Sequence, residues 1–296
     1  MSMGAPATAG LRRMSRDRSG RSPLRKGYAD TRHGQVHYVQ GGAGPAVLLL
    51  HQTPRSWDEF RDVIPLLSDR FRVIAPDTLG FGASDSPPQK WSIELFADGV
   101  EDLVADLGLD SIGLVGHHTG GVVALEVAAR CPVPVRALVL SGAPYVDAAR
   151  RARVARRPAI DEVPISDDGS HYALLWNRRA PFYPADRPDL RRRLMVDAVR
   201  LGERVEEGHL AVNTYQMEDR IGLVQAPTLV VCGELDEFSL PDVPRLLNRL
   251  PGATSATLPG VGVPSADHDP VAFAGVVGDF LSQHPPAAGA PVRPPT

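Results

Sequence analysis

The fold is decided by one short stretch, Val115-Gly116-His117-His118-Thr119-Gly120-Gly121. It follows an apolar run typical of a β-strand and precedes a run typical of a helix. Gly116 and Gly120 let the strand and the helix approach closely, so His118 projects from the turn between them. The amide of Thr119 then lies at a helix N-terminus, where it can stabilise developing negative charge. The stretch predicts a strand–turn–helix unit that presents His118 above a sheet.

Further strands and helices alternate on both sides of this unit. The unbroken apolar run Ala46–Leu50 is typical of a central parallel strand that is covered on both faces. The alternation predicts the α/β class, with a mostly parallel central sheet, helices on both faces and an inserted helical cap. Strands are predicted at Gly27–Gly41 (two, with a turn near His33-Gly34), Ala46–Leu50, Phe71–Pro76, Ser111–Val115, Val135–Leu140, Ala226–Cys232 and Thr254–Leu258, and helices at Trp57–Leu67, Ile93–Leu107, Gly120–Arg130, Leu240–Leu250 and Val271–Leu281.

Composition divides the chain into five parts. Residues 1–27 are a basic leader predicted to be disordered, because they have few apolar residues. An organelle transit peptide is the alternative that we favour less. Residues 28–146 and 223–284 are predicted to form the core, residues 147–222 the helical cap, and residues 285–296 a disordered tail rich in Pro and Ala.

The overall charge and hydropathy exclude several classes of protein. A net charge of -3 gives no indication of a nucleic-acid or anionic-membrane partner. No segment approaches the ~18–20 apolar residues that a membrane span requires. Two cysteines rule out a disulfide framework. We therefore expect a soluble, cytoplasmic protein, and whether it forms a homodimer stays open.

Three segments, in order, resemble the α/β-hydrolase superfamily over roughly residues 28–284, apart from the cap. Residues 47–54 (VLLLHQTP) are similar to the strand and oxyanion loop, usually H-G-x-P. Residues 75–85 (APDTLGFGASD) resemble the D-x-x-G-x-G-x-S loop. Residues 115–121 stand where members carry G-x-S-x-G-G, the nucleophile elbow. The resemblance implies an α/β-hydrolase fold whose nucleophile position holds His118.

The closing loop departs from the family as well. Residues 258–263 (LPGVGV) resemble the usual P-G-x-G-H, which puts Val263 at the position of the catalytic histidine. His268 is predicted to lie outside the site, near the start of the last helix. Gly233-Glu234-Leu235-Asp236 matches the family's G-x-x-D, which implies that Asp236 is the catalytic acid.

These two departures suggest one hypothesis. The imidazole at position 118 occupies the volume that valine leaves free at position 263, because packed sites tolerate volume-conserving exchange. His118 then donates one ring N–H to Asp236 and directs its other nitrogen to the substrate. We expect general acid–base catalysis by this pair. A covalent acyl-imidazole on His118 is the less favoured alternative.

Substrate contacts are predicted around this pair. The amides of Thr119 and Thr53 are expected to form an oxyanion pocket. Gln52 replaces the family glycine, and its side chain either contacts substrate or packs. Four cap aromatics either line an apolar pocket or belong to the core: Trp176, Phe182, Tyr183 and Tyr215. His51 and His117 are predicted to be structural, and the arginines at 150–157 and 191–193 to lie on solvated helix faces.

No cofactor and no metal are predicted, because neither a dinucleotide fingerprint nor a ligand-spaced cluster is evident. The first functional hypothesis is a cofactor-independent enzyme acting on a small hydrophobic substrate, such as a polyketide or aromatic secondary metabolite. Its chemistry would be water activation, epoxide opening or carbon–carbon bond chemistry rather than hydrolysis through a serine acyl-enzyme. The alternatives are a non-catalytic ligand-binding protein and a pseudo-hydrolase acting through protein contacts.

Overall fold

The structure, a computed structural model, describes residues 23–287. Its sheet has eight strands in the spatial order β1-β2-β4-β3-β5-β6-β7-β8. β2 is antiparallel to both β1 and β4, and all other neighbours are parallel. The strands are β1 Arg25–Thr31, β2 Gly34–Gly41, β3 Ala46–Leu50, β4 Arg72–Pro76, β5 Ile112–His117, β6 Val135–Ser141, β7 Thr228–Gly233 and β8 Thr254–Leu258.

Ten helices accompany these strands within the described residues. They are α1 Ile64–Leu67, α2 Ile93–Asp106, α3 Thr119–Arg130, α4 Ala148–Val154, α5 Ser170–Arg179, α6 Pro188–Leu201, α7 Glu207–Thr214, α8 Val243–Arg249, α9 Ser265–His268 and α10 Pro270–Gln283. The predicted helix at Trp57–Leu67 is interrupted: a 3₁₀ turn at Trp57–Phe60 precedes α1. Pro65 falls in the first turn of α1, where its missing N–H costs no hydrogen bond.

The sheet is covered on both faces, as the apolar run at Ala46–Leu50 predicts. Along β3, Leu48 and Leu50 pack with α2 and α3, whereas Val47 and Leu49 pack with α1 and α10. Successive side chains of a strand point to opposite faces, so a strand buried on both sides has no polar position. The α/β-hydrolase architecture expected from the sequence is therefore confirmed.

Two predicted boundaries need correction or fall outside the described part. The basic leader does not reach residue 27, because Arg25 and Lys26 already pair with Gln40 and Val39 in the sheet. The rest of that leader up to residue 22, and the tail from residue 288, lie outside the described residues. None of the helices in the described part is both long and apolar enough to cross a membrane.

Helices α4–α7 lie between β6 and β7, in the stretch that we assign to the cap. Their own apolar clusters are small: one contains Leu175, Ala198 and Val205, and the other Tyr183, Leu190 and Leu194. Buried charges supplement them. Both Nε and Nη2 of Arg179 donate to the Asp161 carboxylate, and His209 Nε2 lies 2.9 Å from Asp161 Oδ2. Burial alone would raise the pKa of Asp161, but Arg179 and His209 lower it to about 2.

We expect Asp161→Asn to lower the free energy of unfolding at pH 7 by about 3 kcal/mol, because Arg179 loses its buried counter-charge. A carboxylate whose pKa is lower in the folded state stabilises the fold above its unfolded pKa, near 4, and loses that effect as the pH falls toward 2. Urea unfolding at pH 7 and pH 3 measures the difference, which should shrink at pH 3. The control is Asp186→Asn, an exposed cap residue; equal effects of the two variants would contradict the prediction.

Candidate active site

His118 occupies a sharp turn between β5 and α3. Its φ of 46° and ψ of -109° make it the one non-glycine residue with positive φ in residues 23–287. A Cβ on Gly120 would lie 2.0 Å from the Leu50 carbonyl oxygen, and one on Gly116 would lie 2.1 Å from the Gly120 carbonyl oxygen. Both glycines are thus required by close backbone contacts. The strain at His118, typically ~1–3 kcal/mol, is maintained by this packing.

The structure brings together the predicted pair, His118 and Asp236. His118 Nε2 lies 3.4 Å from Asp236 Oδ2, which is a contact longer than an ordinary hydrogen bond. The aspartate side chain is 1% exposed and the histidine ring 18% exposed. Val263 lies beside His117, the other histidine of this segment. Its backbone carbonyl oxygen is 3.0 Å from Nε2 of His117. The proposed hydrogen bond therefore requires only a small approach of two side chains that are already adjacent.

Asp236 is held as a carboxylate in the loop after β7. Its Oδ1 accepts hydrogen bonds from the backbone amides of Phe238 and Ser239, each at 3.1 Å. Burial raises the pKa of Asp236, but His118 and the Ser239 amide outweigh burial and lower it. A carboxylate only accepts hydrogen bonds, so the ring nitrogen that faces it, Nε2, carries the hydrogen.

Two neighbours of the pair were missed in the sequence. Gly142, just after β6, leaves space for the ring: a Cβ there would lie 2.9 Å from His118 Nε2 and 3.1 Å from Asp236 Oδ2. Ser239 lies on the other side, with its Oγ 3.5 Å from His118 Nδ1. The sequence held two signals that could have located them: a glycine shortly after the end of a predicted strand, and a serine three residues after Asp236.

His117 points away from the pair and is completely buried. Its Nε2–H donates to the Val263 carbonyl, and its Nδ1 accepts from the Ser141 hydroxyl at 3.0 Å. Ser265 Oγ lies 3.1 Å from Ser141 Oγ and completes the chain. Burial, with His118 beside it, lowers the pKa of His117 well below its usual range, so the ring is neutral. These contacts support the structural role that we expect.

The predicted oxyanion donors, the amides of Thr53 and Thr119, lie in the loop after β3 and at the first residue of α3. Within the described part of the chain neither amide donates to a backbone or side-chain acceptor. The Thr53 hydroxyl is buried without a hydrogen-bond partner. The cap lies directly against it, since a Cβ on Gly208 in α7 would lie 2.2 Å from Thr53 Oγ1. The Thr53 side chain therefore lies beneath α7, and the binding of a substrate oxygen by the two amides stays a prediction.

Gln52 has a different role from the substrate contact that we considered. Its amide N–H donates to Glu59 Oε2 at 2.8 Å, and its side-chain Nε2 donates to Glu59 Oε1 at 2.6 Å. Burial raises the pKa of Glu59 to about 7. The side-chain amide of Gln52, which a glycine lacks, binds this buried acid. Gln52 thus fixes the loop instead of contacting substrate.

A buried charge network, Arg55 and Arg193 with Asp58, Asp197 and Asp267, joins this loop to the cap. Arg55 is fully buried; its Nε binds Asp197 of α6 at 2.9 Å and its Nη1 binds Asp267 of α9. Arg193 Nε binds Asp58 at 2.7 Å and its Nη1 binds Asp267 at 3.0 Å. The expectation that Arg193 lies on a solvated helix face is therefore wrong, because three carboxylates surround it and Arg55.

The four cap aromatics do not form one pocket wall. Tyr215 donates to Glu126 of α3 at 2.6 Å and anchors the cap on the core. The Trp176 ring stacks against Arg191, 3.9 Å from the guanidinium carbon. Tyr183 is buried in the cap cluster with Leu190 and Leu194. Only Phe182 reaches the acid's loop, where its ring centroid lies 4.9 Å from that of Phe238. These contacts favour the core alternative for Trp176, Tyr183 and Tyr215.

One group of side chains has the composition of a metal site. Single ligand atoms of Asp161, Glu206 and His209 lie within 4.8 Å of one another. Arg179 already neutralises Asp161, and Glu206 Oε2 accepts the amide of Asp161 at 2.7 Å and that of Ile160 at 3.0 Å. The ligand atoms are thus committed to internal hydrogen bonds, so we assign this group a structural role.

Comparisons with known proteins identify relatives of this chain. A soluble epoxide hydrolase of Corynebacterium sp. (strain C12) is 45% identical over 94 residues, which is 32% of this chain and 33% of that protein. Haloalkane dehalogenase 2 of Mycobacterium bovis (strain ATCC BAA-935 / AF2122/97) is 39% identical over 119 residues, 40% of this chain and 42% of that protein. The chain thus aligns with about a third to two fifths of the length of these relatives.

A solved structure is similar over a longer part of the chain. The enol-lactonase from Burkholderia xenovorans LB400 superposes with a TM-score of 0.73 at 22% identity, covering 86% of this chain and 100% of that one. The profile of the family described as alpha/beta hydrolase fold matches residues 45–268, from β3 to the end of α9. The chain therefore belongs to the alpha/beta hydrolase fold family.

Proposed function

We propose that this protein is a cofactor-independent hydrolase for a small hydrophobic substrate, with His118 as general base and Asp236 as the residue that orients it. The observation that carries the proposal is the contact between the two, a buried carboxylate 3.4 Å from a partly exposed imidazole on the strained turn. Groups in this arrangement support general-base catalysis. The named hydrolytic activities of the epoxide hydrolase and dehalogenase relatives support the reaction class.

In the proposed reaction, Nδ1 of His118 takes a proton from a water molecule. The water oxygen forms a bond to the electrophilic carbon of the substrate. In an epoxide the carbon–oxygen bond breaks, and the new alkoxide takes the proton from the imidazolium to give a diol. In an ester the carbonyl π bond breaks first; when it re-forms, the bond to the alcohol oxygen breaks and the leaving alcohol takes that proton. In both reactions negative charge develops on the substrate oxygen, where the Thr53 and Thr119 amides can bind it. Asp236 stays ionised and stabilises the imidazolium.

The second candidate is a non-catalytic ligand-binding protein of the same fold. The observation that favours it is the covered site: Thr53 is 3% exposed and Thr119 is 8% exposed beneath α7. Such a protein would bind a hydrophobic ligand tightly without converting it, and His118→Gln would change the affinity little. Measurement of turnover in the same samples as binding separates the two candidates.

We expect His118→Gln to lower kcat by ~10²–10⁴ with little change in KM, because glutamine keeps the polarity but cannot accept the proton. Asp236→Asn should lower kcat as well, through loss of ring orientation. Initial rates with styrene oxide and with p-nitrophenyl butyrate measure the effect. His268→Gln is the matched control and should stay within twofold, since His268 accepts a hydrogen bond from the Gly262 amide away from the pair. Unchanged kcat in His118→Gln would refute the proposal.

A second variant tests the geometry of the pair without changing either member. Gly142→Ala places a methyl group against both His118 Nε2 and Asp236 Oδ2, so we expect kcat to fall at least tenfold. Gly142 also has a φ of 54°, which makes any alanine there unfavourable by ~1 kcal/mol. Gly108→Ala controls for that cost, because Gly108 has a φ of 58° and open space at the Cβ position. Both variants should lose similar thermal stability, and only Gly142→Ala should lose activity.

A further inference from the structure

Ser239 and Asp236 each lie near a different nitrogen of the His118 ring. Ser239 Oγ is 3.5 Å from Nδ1, and Asp236 Oδ2 is 3.4 Å from Nε2. The serine directly precedes a 3₁₀ turn at Leu240–Asp242, and its amide is bound by Asp236 Oδ1. The acid therefore fixes the position of the serine as well as facing the ring.

The protonation states of these groups leave one role for the serine hydroxyl. Because Asp236 is ionised and faces Nε2, the hydrogen of a neutral ring is on Nε2 and the lone pair is on Nδ1. The Ser239 hydroxyl can then act only as the donor toward Nδ1. A distance of 3.5 Å is long for a hydrogen bond, and catalytic contacts of this kind commonly tighten when substrate binds.

The other buried serines nearby are already occupied. Ser141 and Ser265 bind each other, and Ser141 also binds His117. The Ser239 hydroxyl has His118 as its one hydrogen-bond partner in residues 23–287, and the residue is 3% exposed. A buried hydroxyl that contacts only a potential base has the environment of an activated nucleophile.

We propose that Ser239 is the nucleophile of this site and that its substrates are carboxylic esters or lactones. The inference rests on the proposed function, since His118 remains the base. The elbow holds histidine where relatives hold the nucleophile, and a serine hydroxyl lies near the ring nitrogen that does not face the acid, so the order acid–imidazole–hydroxyl is present with the base at position 118. Such a triad is defined by geometry and not by sequence position.

The reaction has two balanced steps. In the first, Ser239 Oγ bonds to the carbonyl carbon, its proton passes to His118 Nδ1, and the ester C–O bond breaks as the leaving alcohol takes that proton. In the second, His118 takes a proton from water, the water oxygen bonds to the acyl carbon, and the C–Oγ bond breaks. Ser239 recovers its proton from the imidazolium, and the carboxylic acid is released.

The surroundings of Ser239 indicate an apolar acyl group. Phe238, the adjacent residue, is 53% exposed and stacks on Phe182 of the cap. These two rings form an apolar surface beside the serine, where the acyl chain of an ester can lie.

Covalent labelling of the full chain tests this assignment. We expect diisopropyl fluorophosphate to add one phosphoryl group per chain, detected by intact mass and located on the Ser239 peptide. Ser239→Ala should abolish the adduct, and His118→Gln should slow its formation at least 100-fold. Ser255→Ala, at an exposed serine of β8, should label like the wild type. With p-nitrophenyl butyrate, the wild type should also release a burst of p-nitrophenol stoichiometric with enzyme.

Three outcomes would overturn the assignment: no adduct, an adduct on another residue, or unchanged kcat in Ser239→Ala. If Ser239→Ala keeps its kcat while His118→Gln loses activity, water attacks directly and the proposed function stands without the serine. If His118→Gln keeps its activity, the proposed function fails. Melting temperatures within about 3 °C of the wild type, which corresponds to roughly 1 kcal/mol, show that the variants are folded.

Discussion

The close backbone approach of β3, β5 and α3 is the constraint on which this site depends. At Gly120 the backbone of α3 touches the carbonyl of Leu50, so no side chain can be accommodated there. The chain must then turn within one residue, and this forces His118 into a conformation with positive φ. Whatever residue occupies position 118 is directed over the carboxyl ends of the strands. The backbone therefore determines the position of the reactive group, and the side chain determines only its chemistry.

The ring at position 118 changes what its surroundings must provide. An imidazole on the turn requires an acid on one side and space for its own width, which Asp236 and Gly142 supply. The remaining nitrogen faces Ser239. The loop after β7 thus contributes both the acid and the hydroxyl. The family fold is retained while the order of groups around the base differs from that of a serine elbow.

The sequence was sufficient for the fold and for the central pair, and insufficient for the surroundings. Apolar runs such as Ala46–Leu50 and the glycines of the turn act through local rules, so the strands, the turn and Asp236 could be located. The direction of a side chain in an inserted helix depends on what packs above it. For this reason the sequence could not predict the hydrogen bond from Tyr215 to Glu126. Nor could it predict that Arg193 belongs to the buried charge network around Arg55. The sequence left the role of Gln52 open between substrate contact and packing, because its partner, Glu59, lies in a turn that the sequence predicts as continuous helix.

Gly208 has a consequence for how molecules enter this protein. Helix α7 lies so close to Thr53 and Phe81 that even a methyl group has no room between them. Helix α7 therefore covers the Thr53 side chain at the end of the loop that follows β3. Arg204 donates hydrogen bonds to the carbonyl oxygens of Pro87 and Gln89. Its guanidinium carbon lies 4.1 Å from the centroid of the Trp91 ring. These contacts fix the same end of the cap. For the proposed activity, α7 must move away from Thr53 before a substrate binds there.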